Sequence, residues 1–129
     1  MDGRAFAMTW EQGWNSHDLE VIISHYRDDI VFRSKKAIPL IGKGEIQGKQ
    51  KLRDYWGAAL KRQPDLKFHV QDVFEGHNML VISYLNHHGV LAAETLYFDA
   101  EGQVYQAAAC HRTDGDYQSP FSVDSSRHR

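Results

Sequence analysis

Apolar positions recur with helical spacing in three segments of the chain. The spacing predicts one helix over Ala5–Asn15, a second over Leu19–Tyr26, and a third from Lys49 to the residue before Pro64. Asp18 suits the N-cap of the second helix, because its carboxylate can accept hydrogen bonds from free backbone N–H groups. Each predicted helix has one apolar face, so each can pack against another layer of the fold.

The other periodic segments have the composition and alternation of β-strands. A short β-branched and aromatic run, Ile30–Phe32, follows a predicted turn at Arg27–Asp29. Four longer strands are predicted at Leu66–Phe74, Met79–Asn86, Val90–Asp99 and Val104–Thr113. Short turns containing glycine separate these strands, which is typical of antiparallel hairpins. The alternation slips at Asp72–Phe74, as a β-bulge would cause.

The order of these elements predicts an α+β domain with helices packed on one face of a curved sheet. At 129 residues the chain is most simply one domain, which we place at residues 1–113, with a polar, loosely ordered tail at residues 114–129. Ser34–Gly48 is the least regular part of the domain. A loop of this length is often a lid or a binding loop; the alternative is a surface excursion that its apolar residues hold down.

Composition and charge exclude several classes of protein. The formal net charge of −2 lacks the basic excess expected of a nucleic-acid-binding protein. No apolar run reaches the roughly 20 residues that cross a membrane, and the N-terminus lacks the apolar region of a secretory signal. The single cysteine, Cys110, cannot form an internal disulfide, which fits a reducing compartment. We therefore expect a cytoplasmic protein that binds neither nucleic acid nor membranes.

Glu94 is the residue with the clearest chemical meaning. It shares one side of its predicted strand with Ala92, Leu96 and Phe98, and a carboxyl group there is costly to bury unless it is paired, hydrogen-bonded or protonated. In a dry pocket its pKa would rise, and it could then act as a general acid, a general base or a hydrogen-bond donor to a carbonyl. The alternative is a structural carboxylate, paired across the sheet or at a dimer interface.

Three polar residues on the neighbouring strands could complete such a pocket. His111 could exchange protons with Glu94 or Tyr84 near neutral pH, and an ordinary histidine near the end of a strand is the alternative. Tyr84 and Asn86 alternate along one strand and could orient a polar group of a ligand. Tyr84 could also be a core aromatic, and Asn86 could form the adjacent turn.

Trp10 and Tyr55 are the aromatic residues that we place at the pocket wall. Aromatic walls with few polar groups suit a small apolar molecule that carries a carbonyl or hydroxyl group. His87 and His88 do not predict a metal site, because adjacent strand residues point to opposite sides. Zinc-ligand spacings are also missing from the sequence. We therefore expect neither a metal nor a cofactor.

Four segments, taken in order along the chain, match the pattern of a known superfamily. They read WNSHDLEVIISHYRDDIVF, IQGKQKLRDYW, PDLKFHVQDV and AAETLYFDAEGQV, within a match from Phe6 to His111. The sequence resembles the nuclear transport factor 2-like superfamily, in its SnoaL-like branch. The resemblance implies a cystatin-like α+β cone, in which a curved antiparallel sheet wraps around a long helix and encloses a pocket. It also implies a homodimer.

Members of this superfamily have several activities, so the resemblance does not fix a function. They include ketosteroid isomerase, polyketide cyclases, scytalone dehydratase, limonene epoxide hydrolase and binding or transport modules. In the comparison with ketosteroid isomerase, the two oxyanion donors fall on Trp10 and Glu94. The general base falls near Ser34, which cannot do that job unaided.

We therefore expect a small-molecule-binding SnoaL-like protein with cofactor-free acid–base chemistry of the isomerase, cyclase or hydrolase type. Glu94 and His111 would be its catalytic residues. The alternative is a non-catalytic binding module or dimeric interaction module, whose cone is filled by its own side chains.

Overall fold

The computed structural model describes residues 1–113, so the predicted tail lies outside the described residues. The elements in chain order are α1 (Gly3–Ser16), α2 (Leu19–Ile23), β1 (Tyr26–Ser34), a 3₁₀ turn (Lys35–Ala37), α3 (Ile38–Ile41), β2 (Glu45–Gln47), α4 (Lys49–Arg62), β3 (His69–Gly76), β4 (Met79–Leu85), β5 (Leu91–Phe98) and β6 (Val104–His111). Within the described part of the chain, no helix is long and apolar enough to cross a membrane.

A six-stranded curved sheet with the order β2-β1-β6-β5-β4-β3 forms the framework. Strands β3 to β6 are antiparallel neighbours, as their turns predicted. Strand β1 joins them in parallel beside β6, with Phe32 opposite Ala107 and Ser34 opposite Ala109. The α+β class is confirmed, although one strand pair is parallel and the sheet is therefore mixed.

Strands β3 to β6 contain two irregularities in pairing that bend this sheet, and a third lies between β1 and β6, from Tyr26 to Val31. One lies between Val70 and Asp72, at the edge of the predicted bulge. The other lies where β5 meets β6: Val104 pairs with Phe98 and Gln106 with Tyr97, which leaves Tyr105 as the extra residue. Tyr105 is therefore exposed, although strict alternation with Ala107, Ala109 and His111 would place it on the inner face of the sheet. Bulges of this kind increase the local twist and help a sheet to curve around helices.

An aromatic cluster between α1, α4 and the sheet forms much of the core. Trp56 of α4 is 3% exposed and meets three other rings edge-on. The ring centroids lie 5.0 Å away for Trp14, 5.1 Å for Tyr26 and 5.4 Å for Phe32. Edge-to-face contacts of this kind are favourable beyond simple burial, so they hold the two helices in place.

Side chains of α1 also bond to the backbone just before and within β3. The Phe68 N–H donates to Asn15 Oδ1 at 2.7 Å, and Asn15 Nδ2 donates to the Phe68 carbonyl at 2.9 Å. The Val70 N–H donates to Glu11 Oε2 at 2.7 Å. These bonds satisfy backbone groups at the edge of the sheet and fix α1 across its face.

The predicted second helix and the turn after it need correction. The helix ends at Ile23, because the run from Val21 to Ile23 is β-branched and such residues are weak helix formers. Tyr26 instead begins β1, is buried and pairs with Val104. The predicted turn at Arg27–Asp29 lies inside β1, where an ion pair of 2.7 Å joins the side chains of Arg27 and Asp29.

The segment Ser34–Gly48 is more regular than its sequence predicts. It contains the 3₁₀ turn, the short helix α3 and strand β2. Backbone bonds of 2.9 Å from the Ser34 N–H to the Gly44 carbonyl and of 2.8 Å from the Gly48 N–H to the Ile30 carbonyl tie it to β1. A role as a lid stays a prediction.

Candidate functional site

A cavity of about 90 Å³ lies between α1, α4 and the sheet. Its walls are mainly aromatic, and its polar lining consists of Ser34, Lys36, Tyr55, Tyr84, Glu94 and His111. A water molecule takes up about 30 Å³ in the liquid, so the space suits a few waters or one small organic group. The cavity is the place where the chain brings polar groups into its core.

Glu94 lies at the centre of this lining. It pairs with Ile82 and Ala109 across the sheet and is only 4% exposed, on the face that the alternation of its strand identified. The small Ala109 side chain opposite leaves space at the cavity wall. Burial alone raises the pKa of Glu94 to about 8, with no charge or hydrogen bond from residues 1–113 contributing. Glu94 is therefore mainly protonated near pH 7.

Tyrosine hydroxyl groups surround the Glu94 carboxyl. Burial and then the charge of Glu94 raise the pKa values of Tyr26 and Tyr84. For Tyr55, burial is again the main cause of a raised pKa; the Ser34 hydroxyl opposes it and Glu94 adds to it. All three phenols therefore stay protonated at neutral pH and can donate hydrogen bonds.

His111 and Lys36 provide the remaining ionisable groups of the cavity. Partial burial, followed by the charge of Lys36, lowers the pKa of His111. Its imidazole is therefore mainly neutral at neutral pH and can accept a proton. The Ser34 hydroxyl accepts a hydrogen bond of 3.2 Å from the Lys36 N–H and so fixes the start of the 3₁₀ turn. The site thus combines a protonated carboxyl with a neutral base.

Three buried polar atoms in this region lack a hydrogen bond of good geometry within residues 1–113: Trp10 Nε1, Trp14 Nε1 and Tyr26 Oη. The Trp10 indole N–H nevertheless lies near the Tyr26 hydroxyl and partly opposes the rise that burial causes in the pKa of that phenol. A buried donor without a partner costs about 1–3 kcal/mol. Trp10 and Trp14 line the cavity wall, so an oxygen atom of a ligand could satisfy an indole N–H there.

The structure brings five of the six predicted site residues to one cavity: Trp10, Tyr55, Tyr84, Glu94 and His111. The sixth, Asn86, is a correction, because its side chain forms the turn between β4 and β5. Its Oδ1 accepts hydrogen bonds of 2.9 Å from the His88 N–H and 3.0 Å from the Val90 N–H. Asn86 is therefore not among the residues that line the cavity.

Among the charged and polar lining residues, sequence reasoning missed Lys36, and it considered Ser34 only as the position of a missing base. The apolar lining residues that it did not place at the wall are Trp14, Phe32, Trp56, Ala59, Phe68 and Ala109. Ser34 had a usable signal, because it continues the buried alternation of Ile30 and Phe32 along β1. Lys36 lies outside the regular strands, where alternation assigns no side, whereas Phe68 lies just before β3, which begins at His69 and not at Leu66 as predicted.

The two adjacent histidines lie closer together than the strand pattern predicts. They fall in the turn after β4, where strand alternation does not apply, and their ring centroids are 4.0 Å apart. His87 Nε2 is also 3.5 Å from Asp65 Oδ1. Even so, no three His, Cys, Asp or Glu side chains in residues 1–113 are placed to hold a metal ion. Independence from metals and cofactors stays a prediction.

Comparison with known families identifies the fold. The family model of the SnoaL-like domain matches residues 7–116. The chain belongs to the SnoaL-like family. None of the curated protein sequences matches it.

Solved structures of SnoaL-like and related proteins agree with this assignment. A SnoaL-like protein of unknown function from Burkholderia thailandensis is 32% identical, with a TM-score of 0.82 over 86% of this chain and 95% of that one. A proposed isomerase of the SnoaL-like family from Agrobacterium tumefaciens is 16% identical, with a TM-score of 0.68 over 86% and 97% of the two chains. A proposed hydroxylase from Streptomyces galilaeus is 20% identical, also at 0.68, over 86% and 89%. The last two show only that this SnoaL-like domain shares their fold.

Proposed function

We propose that this SnoaL-like domain binds a small apolar molecule with a carbonyl or hydroxyl group and catalyses cofactor-free proton transfer on it. The observation that carries the proposal is Glu94, a buried carboxyl at a cavity wall with a pKa of about 8 and no protein partner in residues 1–113. A protonated carboxyl in an apolar site can donate a hydrogen bond to a carbonyl oxygen, as in ketosteroid isomerase.

The reaction that fits these groups best is enolisation. Glu94 donates its hydrogen bond to the carbonyl oxygen of the ligand, and the neutral His111 removes a proton from the adjacent carbon. The electron pair of the broken C–H bond forms the enolate, whose oxygen Glu94 stabilises. In a β,γ-unsaturated ketone the enolate is conjugated, and return of the proton from His111 to the γ-carbon completes an isomerisation. In a ligand with a second carbonyl, addition of the enolate to that carbonyl, with His111 returning its proton to the new alkoxide, would give a cyclisation.

The aromatic wall supports this chemistry by excluding water. Trp10 stacks on Phe68 with ring centroids 5.5 Å apart, and Phe68 meets Tyr84 at 4.6 Å. Electrostatic interactions are stronger where water is excluded, so the hydrogen bond to the oxyanion gains strength. The unpaired indole N–H of Trp14 is the second donor that the wall offers.

Deuterium exchange tests the proposal without knowledge of the natural substrate. Purified protein should accelerate exchange of the α-hydrogens of cyclopentanone in D₂O, followed by NMR. Glu94→Gln and His111→Gln should each lower this acceleration about 100-fold, because positioned acid–base groups contribute about 10²–10⁴. The matched control is His88→Gln, an exposed histidine in the β4–β5 turn, which should leave the rate unchanged.

A non-catalytic binding module is the second candidate function. The small size of the cavity favours it, because aromatic side chains already fill most of the cone. In that case cyclopentanone would bind without any accelerated exchange. Full exchange activity in Glu94→Gln would also contradict the catalytic role of this residue.

We further propose that two copies of the chain dimerise through the outer face of the sheet. By strand register, one row across this face holds Val81, Thr95 and Ala108, and the next holds Ser83, Ala93 and Cys110. Within β4, β5 and β6 neither row contains a charged residue, and most members of the rows are half-buried; Asp72 on β3 continues one row and Arg33 on β1 continues the other. A second copy would cover this surface and remove its apolar part from water.

Thr95→Arg tests the dimer, because it introduces a charge near the middle of this face. We expect dimerisation at least about tenfold weaker in sedimentation experiments, since a charge at a packed interface is costly. Thr9→Arg on the exposed side of α1 is the matched control and should dimerise like the wild type. Equal dimerisation of both variants would place the interface elsewhere.

A further inference from the structure

A second and larger cavity lies outside the site described above. It is a groove of about 580 Å³ between α4 and the segment from α3 to β2, with Leu40, Ile41, Ile46 and Ala58 as its apolar surface. Ligand sites usually enclose roughly 300–1,000 Å³, so the groove has the size of a binding site for a whole molecule. The inner cavity can hold only one end of such a molecule.

Tyr55 separates the two spaces. Its half-buried side chain lines both the inner cavity and the outer groove. The groove and the space in front of Glu94 therefore meet at a single aromatic side chain. The two cavities are adjacent because α4 contributes Tyr55 to both and Ala58, one turn further on, to the groove.

Three basic side chains, Lys43, Lys51 and Arg62, surround the groove. None of them forms an ion pair with a residue in the described part of the chain. Their charges are therefore available to a ligand. A carboxylate is the small anionic group that such donors bind with charge-assisted hydrogen bonds.

Only one of the two acidic residues at the groove is paired with a cation. Glu45 accepts hydrogen bonds from Arg33 at 2.8 Å and from Gln47 at 2.9 Å. Asp54 accepts one of 3.0 Å from the neutral amide of Gln50 and keeps its charge, against the three basic side chains. The groove therefore offers a ligand more free positive than negative charge, next to an apolar surface.

We propose that the groove is the outer half of the ligand site and that the ligand is an amphipathic carboxylic acid. Its carbonyl end passes Tyr55 to reach Glu94, its apolar body lies on the groove, and its carboxylate meets the three basic side chains. This inference rests on the proposed function, because it uses Glu94 as the partner of the carbonyl end.

The test uses a graded series of methyl-ketone carboxylic acids, from levulinic acid to oxoundecanoic acid, with neutral methyl ketones of matching length. Calorimetry should show affinity rising about fourfold per added methylene once the chain is long enough to pass Tyr55. The longest acid should bind at least about tenfold tighter than the neutral ketone of the same length. Equal affinity along the series, or of acids and ketones, would overturn the proposal.

Variants of the groove test where the carboxylate end of the probe binds. The combined change Lys43→Gln, Lys51→Gln and Arg62→Gln should weaken the longest acid about tenfold and leave the neutral ketones unaffected. Lys61→Gln, an exposed lysine of α4 that does not line the groove, is the matched control. If the acids lose affinity in Lys36→Gln alone, their carboxylate binds at the inner cavity and the proposal is wrong.

Filling the groove gives an independent measurement. Ala58→Trp should weaken the binding of the longest acid and of the neutral ketone of the same length, and it should leave butanone binding intact. Ala100→Trp, in the exposed β5–β6 turn, is the control and should change none of these affinities. Glu94→Gln should weaken short and long ketones alike. If Glu94→Gln has no effect while the groove variants do, the proposed function fails and the groove is still a site for acids. If only Glu94→Gln has an effect, the proposed function stands and the groove is not used.

Discussion

Raising the pH from about 5 to about 8 should destabilise the wild-type domain by about 3–4 kcal/mol relative to a Glu94→Gln variant. Burial raises the pKa of Glu94 from its ordinary value of 4.5 to about 8 in the folded protein. Below pH 4.5, folded and unfolded chains both hold this proton. Between the two pKa values only the folded chain keeps it, so the free energy of unfolding falls as pH rises. The decline ends above the folded pKa, where both states are ionised.

Urea unfolding of both proteins across this pH range measures the effect. The other titrating groups are common to both proteins, so their contributions largely cancel in the difference. Glu101→Gln is the matched control, because Glu101 is exposed in the β5–β6 turn. The difference in free energy of unfolding between this variant and the wild type should stay nearly constant with pH. A constant difference for Glu94→Gln as well would mean that Glu94 is ionised in the folded protein.

The same titration connects stability with the proposed site. A ketone receives a hydrogen bond from Glu94 only while the carboxyl is protonated. Ketone affinity should therefore fall over the pH range around 8 in which the folded protein loses this proton. A structural carboxylate paired with protein groups would have a lowered pKa and would stabilise the fold as the pH rises, which is the opposite dependence.

The C-terminal half of the fold was predictable because its information is local. From Met79 to His111, strict alternation gives the strands, and short turns with glycine give their antiparallel pairing. Alternation also placed Glu94 with Ala92 and Leu96, and all three are buried on one face. The main exception is Tyr105, because a bulge adds one residue and reverses the alternation there.

The first strand was predicted too short because its boundaries depend on distant contacts. The residues from Val21 to Tyr26 fit the spacing of a helix, yet parallel pairing with β6 places Tyr26 in the sheet. The partner residue, Val104, is far away in the sequence. Local sequence patterns do not indicate which distant strands pair, so the parallel pairing of β1 with β6 was not predicted.

The candidate site was likewise predicted in its regular segments and missed elsewhere. Its regular positions on α1, α4 and the strands were identified from periodicity, with help from the family resemblance. Lys36 was missed because it lies in the 3₁₀ turn, where no periodicity assigns a side. The outer groove was missed for a different reason. It exists only because α4 packs beside the segment from α3 to β2, and the sequence pattern of neither element predicts a space between them.

Trp56→Ala should reduce the free energy of unfolding by about 3–5 kcal/mol, because it removes the central ring of the aromatic core. Trp56 is 3% exposed and contacts Trp14, Tyr26 and Phe32 at ring distances of 5.0 to 5.4 Å. The change loses both the burial of the indole and its three edge-on contacts. Urea unfolding at one fixed protein concentration measures the loss, since a dimer would make stability depend on concentration.

Two further variants separate the loss of packing from other causes. Phe74→Ala removes an aromatic ring that is 59% exposed, so it should cost less than about 1 kcal/mol. Trp56→Phe keeps an aromatic ring in the cluster, so its loss in free energy of unfolding should lie between those of Trp56→Ala and Phe74→Ala.

Trp56 also lines the inner cavity, so its removal enlarges that space. Added indole should therefore restore part of the stability of Trp56→Ala. A loss below about 1 kcal/mol in Trp56→Ala would mean that the helices are held on the sheet mainly by other contacts.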